Sequence, residues 1–122
     1  MPAQKRAEVS KIMKILFEQK DEVLIASLTG KLDAIYHHLL GEKVNEKSLE
    51  TTWSTLLFDL SELDYISSAG FREFFLIGHK LQQYGKKMAI CSLKPSVQKM
   101  FEIAMFSKAY PVFDSRKAAL EN

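Results

Sequence analysis

The chain has 122 residues, 47% hydrophobic and 26% charged, with a formal net charge of +2. That length suits one domain with a real core, and that balance excludes a disordered chain. So small a charge gives no argument for nucleic acid as a partner, and no apolar run approaches the roughly 20 residues of a membrane span.

Residues 1–12, MPAQKRAEVSKI, are polar and mixed in charge, and read as an N-terminal extension, ragged or briefly helical, before a domain over 13–122. They lack the apolar centre of a secretory signal. The single cysteine, Cys91, excludes an internal disulfide and fits a reducing, cytoplasmic setting.

The runs MKILFEQ and EVLIASLTG predict two strands parted by a Lys-Asp turn, with Gly30 closing the second. Asp33 is placed to cap a helix over AIYHHLLGEKVNEKSL, in which Ile35, Leu39, Leu40 and Val44 fall near one face. LETTWST has no clear period and leads to LLFDL, whose unbroken apolar character predicts a strand buried on both faces of a sheet. In FREFFLIGHKLQQYG, Phe71, Phe74, Phe75 and Gly78 recur at helical spacing, and Ile77, Leu81 and Tyr84 widen the stripe. Arg72, Glu73, His79, Lys80 and Gln83 then fall toward water, and Gly85 stops the helix.

KKMAICSL predicts another buried strand, with Cys91 as a small hydrophobe within it. KPSVQKMFEIAMFSKA predicts a helix with Pro95 in its first turn and Val97, Met100, Phe101, Ala104 and Met105 facing inward. YPVF is a short last strand that Pro111 places at an edge or a strand start, and SRKAALEN is a short last helix. The order β-β-α-β-α-β-α-β-α predicts a single α/β domain: a mixed sheet, largely parallel at its centre, packed with helices. In such sheets function gathers in the loops at the carboxyl ends of the strands.

Catalytic motifs are missing from the sequence. It contains no phosphate loop, no dinucleotide fingerprint and no G-x-S-x-G elbow. His37 and His38 are adjacent, so on a helix they point about 100° apart rather than sharing a face as metal ligands would. Asp59, Glu62 and Asp64 form an acidic grouping near a strand end, but an enzyme built on Asp64 and Ser68 would have no general base at motif spacing. The reading is of a protein that is not an enzyme and needs neither cofactor nor metal.

One stretch does carry a signal. In FDLSELDYISSAGFREFF a buried strand hands over to an aromatic helix through Ser67, Ser68, Ala69 and Gly70. One serine suffices as a helix cap, worth about 1 kcal/mol; the second is unexplained by capping. A phosphate on Ser68 would bring roughly −1.5 to −2 charges to a helix start, where the amides of Ala69, Gly70 and Phe71 are expected to point outward. Gly70, and Ala69 to a lesser degree, would leave room for another protein's active site to approach the hydroxyl.

TGKLDA, LLFDLSELDYISSAGFREF and KKMAICSLKPSVQKMFEIAMFSKAYPVFDSRKAAL together resemble a STAS domain over Met13 to Leu120, and more narrowly the anti-sigma-factor antagonists of bacterial partner-switching systems. That resemblance implies an unphosphorylated antagonist that binds an anti-sigma factor, itself a GHKL-type serine kinase, and so regulates transcription. Phosphorylation at Ser68 would release it, and a PP2C-type phosphatase would reset the cycle. The family's loop reads Asp-Ser-[Ser/Thr]-Gly, which lays its aspartate on Ser67, its acceptor on Ser68 and its glycine on Gly70. Ser67 is the departure, and it is also a less favoured alternative acceptor. The expected contact surface comprises Ser67, Ser68, Ala69 and Gly70, then Arg72 and Glu73, and Asp33 with the rest of a turn over 29–33. The competing reading is a STAS module that is not phosphorylated and serves docking or ligand sensing, such as a lipid-transport accessory subunit.

Overall fold

The computed structural model describes residues 13–121; the N-terminal extension lies outside them. Five strands form one sheet in sequential order. The first two, β1 (Lys14–Lys20) and β2 (Val23–Leu32), are an antiparallel hairpin whose two-residue turn holds Asp21 at φ 54°. β3 (Thr55–Ile66), β4 (Lys87–Cys91) and β5 (Val112–Phe113) then add in parallel. The mixed sheet with a parallel centre is as the alternation predicted.

Between the parallel strands run α1 (His37–Lys47), α2 (Ser68–Gln83) and α3 (Pro95–Ile103). Strands added in one direction through right-handed crossovers place all three helices on the same face. Period-2 alternation decides which side chains meet them. Leu24, Ala26 and Leu28, Leu56, Phe58 and Leu60, and Met88 and Ile90 enter the main core with Leu40, Val44, Phe71, Phe74, Ile77, Leu81, Val97 and Phe101. The intervening Ile25, Leu57, Ala89 and Cys91 face the other way, where Ala119 and Leu120 of the short α4 (Arg116–Glu121) pack on them. Buried on both faces, LLFDL is the interior strand its composition predicted.

Several boundaries moved. β2 runs past Gly30, which sits at φ 101° in a stretch where the β2–β3 register shifts. A glycine tolerates that geometry without ending the strand. β3 continues through Ser61–Ile66, because those residues still pair with Thr29–Leu32 even though several face water. Asp33 holds a lead-in turn, its Oδ1 accepting the amides of Ile35 and Tyr36 at 3.0 Å each, and the helix starts only at His37. Ile35 is therefore off the helix and 67% exposed, not on its apolar face.

Tyr84, expected in the α2 stripe, lies beyond the helix and is exposed. Ala104 and Met105 also face water: α3 ends at Ile103, and Met105 takes a left-handed conformation at φ 55° before a 3-10 turn (Phe106–Lys108). Phe106 replaces them in the core, with ring centroids 4.9 Å from Phe101 and 5.0 Å from Phe75. The unassigned 49–54 segment is tied down by polar bonds. Trp53 Nε1 donates to the Lys47 carbonyl at 3.2 Å, and Lys86 Nζ donates to the carbonyls of Glu50 and Trp53 at 2.7 Å while lying over the Trp53 ring.

Candidate partner-binding site

The corner between β3 and α2 answers which serine does what. Ser67 is the N-cap, with extended backbone (φ −85°, ψ 169°) and its Oγ accepting the Gly70 amide at 3.0 Å. Its own amide donates to the Leu32 carbonyl at 2.9 Å, and its carbonyl accepts the Phe71 amide at 2.8 Å. Ser68 is the first helical residue; it is exposed, and its hydroxyl has no partner among the described residues. Capping accounts for Ser67 and leaves Ser68 spare.

Two expectations about this corner are corrected. The amides of Gly70 and Phe71 are already used by Ser67, so those without a partner among the described residues are Ser68 and Ala69. Gly70 is buried, and an added Cβ would lie 2.5 Å from the Leu32 carbonyl oxygen and 2.8 Å from Leu32 Cγ. Its missing side chain thus serves close packing of α2 against the end of β2, not an open approach from outside. The same contact brings the turn held by Asp33, which follows Leu32, beside the double serine. Thr29 to Leu32 belong to β2 itself, so only the turn from Asp33 onward joins the corner as a loop.

Arg72 is exposed on the first turn of α2, as predicted. Glu73 is not on the water side: its side chain is 12% exposed and its Oε1 lies 3.0 Å from His37 Nδ1. Its other oxygen fills the space that a Cβ on Gly41 would occupy, which explains a glycine inside α1. Glu73 therefore locks α1 to α2 next to the corner. Phe71 anchors the corner from below, its ring 4.9 Å from Phe101 and 5.3 Å from Phe75.

The expected acidic grouping disperses. Asp64 pairs with Lys94 at 2.5 Å, Glu62 is exposed on β3, and Asp59 is buried. Asp59 accepts the Ser61 amide at 3.0 Å and Arg116 Nε at 2.9 Å. Burial alone would raise its pKa, but the bonds from Ser61 and Arg116 outweigh that and leave the carboxyl below the ordinary 3.8. No three His, Cys, Asp or Glu side chains among the described residues gather as a metal site. No helix of the described residues is long and apolar enough to cross a membrane. The one functional-looking residue that sequence reading missed is Arg116, and its only signal was an aspartate inside the apolar run LLFDL.

With this geometry in view, the likenesses to known proteins can be placed. Over 107 residues the chain is 36% identical to the Bordetella bronchiseptica protein BtrV, which carries the name of an anti-sigma factor antagonist; the match covers 88% of this chain and 91% of that one. An anti-sigma factor antagonist from Mycobacterium paratuberculosis superposes with a TM-score of 0.82 at 19% identity, covering 91% of this chain and 93% of that one. The Bacillus protein SpoIIAA in its phosphorylated form gives a TM-score of 0.69 at 15% identity over 88% of this chain and 97% of that one. These two are likenesses of fold. The STAS domain family model matches residues 14–119, and the chain belongs to that family.

Proposed function

We propose that the chain is an anti-sigma factor antagonist that works by partner switching, with Ser68 as its phosphoacceptor. Unphosphorylated, the Ser67–Gly70 corner, the Asp33 turn and Arg72 dock on an anti-sigma factor that is also a GHKL-type serine kinase, with Glu73 holding α1 and α2 in register beneath them. Phosphorylation of Ser68 breaks the complex, and a PP2C-type phosphatase restores it. The setting is the cytoplasm and the output is transcription. The observation that carries this reading is the division of labour at the corner: Ser67 Oγ caps α2 at 3.0 Å from the Gly70 amide, while Ser68 is exposed and its hydroxyl has no partner among the described residues. The name of BtrV supports an anti-sigma factor as the partner.

The physics is asymmetric between host and partner. The new charge of roughly −1.5 to −2 sits at a helix start, where the dipole and the amides of Ser68 and Ala69 favour it. In a closely packed interface the same charge is stranded without a counter-ion, which costs on the order of 2–5 kcal/mol. The domain keeps its fold while the contact fails. Titration of the cognate kinase checks this: Ser68→Ala binds as tightly as the unphosphorylated protein whether or not ATP is present, and Ser68→Asp binds at least about tenfold more weakly. Equal affinity for both variants would remove the switch and leave the family assignment standing.

A further inference from the structure

The back of the sheet, opposite α1 to α3, is covered in a different way from the front. Ile25, Leu57, Ala89 and Cys91 are between 0% and 7% exposed, yet the element over them is α4, six residues with no fully buried side chain. A helix that short does not hold itself together; isolated helices need roughly 12–15 residues. Its apolar grip consists of Ala119 and Leu120, both only half-buried. Its polar grip is Arg116. The guanidinium donates from Nε to Asp59 Oδ2 at 2.9 Å, from Nη2 to Ser27 Oγ at 3.0 Å and from Nη1 to Glu18 Oε2 at 3.1 Å. One side chain therefore fastens α4 to β1, β2 and β3 at once. Among the described residues, α4 makes no ion pair with the sheet except through Arg116.

We infer that α4 is a strap that opens as a unit, with Arg116 as its latch, baring the apolar back of the sheet while the helix-covered front stays folded. Local opening costs least where few apolar contacts must be broken, and the strap has few, whereas the front core includes a continuous set of aromatic rings from α2 to the 3-10 turn. Opening leaves a polar rim of Glu18, Ser27 and Asp59 around an apolar floor.

The chain carries its own reporters. Cys91 is the single cysteine and lies under the strap, and Trp53 is the single tryptophan and lies in the front core. Burial pushes the Cys91 thiol up, so a disulfide reagent in excess reacts with it when it is uncovered. Labelling of the whole protein is followed against urea, alongside Trp53 fluorescence for global unfolding. The expected result is labelling in water with a weak urea dependence, the mark of a small newly exposed area. Arg116→Met speeds it by about tenfold or more, the scale of a lost charge-assisted bond. Arg116→Lys lies between. The pair Arg116→Met with Asp59→Asn leaves no buried carboxylate stranded, and its faster labelling keeps the weak urea dependence. If labelling in every variant follows the urea dependence of the Trp53 signal, α4 is part of the global fold and the strap does not exist.

Discussion

At Ser67 and Ser68, neighbouring residues of one chemical type do different work, and stability measurements separate them. Ser67→Ala removes the cap on the Gly70 amide and should cost about 1 kcal/mol in urea unfolding, whereas Ser68→Ala, at an exposed hydroxyl with no partner among the described residues, should stay within about 0.5 kcal/mol. Equal losses would mean that both serines cap. Gly70→Ala should be worse than either: with the Leu32 carbonyl oxygen 2.5 Å from the added carbon, α2 must shift, at a cost of roughly 1–3 kcal/mol. The pair of serines and its place before a helix were legible in the sequence. Which serine caps was not, since both satisfy the same local pattern and the choice is made by the Leu32 carbonyl across the sheet. Gly70 and Glu73 were misread for the same reason: a small residue and a charged residue suggest exposure until a neighbouring element, β2 for one and α1 for the other, closes over them.

The order of strands and helices came through because each element carries its own period, and it fails where composition and pairing disagree. Ser61, Glu62, Asp64 and Tyr65 look like loop yet extend β3, held by β2 on one side while their side chains meet water. The apolar Met105 looks like core yet is 54% exposed, because its left-handed backbone turns the chain out of α3. On α2 the prediction concerns Phe74, which is fully buried with its ring 5.0 Å from Phe58. Phe74→Ala should cost about 3–5 kcal/mol in the urea-derived stability, because the cavity opens between sheet and helix where neither can collapse. A loss within the range of surface substitutions would mean that α2 is not held by this stripe.

Across the whole molecule, the tie between Asp59 and Arg116 joins residues 57 positions apart, a distance at which no periodicity or motif signals a pair. It has a pH consequence with a definite sign. Asp59 titrates below the ordinary 3.8 in the folded protein, so its contribution to stability is complete above that unfolded value and is lost as pH falls through the lower, folded value. The urea midpoint of the native protein should therefore fall more steeply with acid below about pH 4 than that of Asp59→Asn, and parallel curves would show that the bonds from Ser61 and Arg116 to this carboxylate contribute nothing. The back of the sheet and the β3–α2 corner are held by separate means, Arg116 at one and the Ser67 cap with Gly70 at the other. Site-resolved mass spectrometry of the chain after incubation with the proposed partner kinase and ATP tests most directly the central proposal that Ser68 is the phosphoacceptor. The account predicts phosphate on Ser68 and none on Ser67, with the modification abolished in Ser68→Ala; phosphate on Ser67, or an unmodified corner with an active kinase, would contradict it.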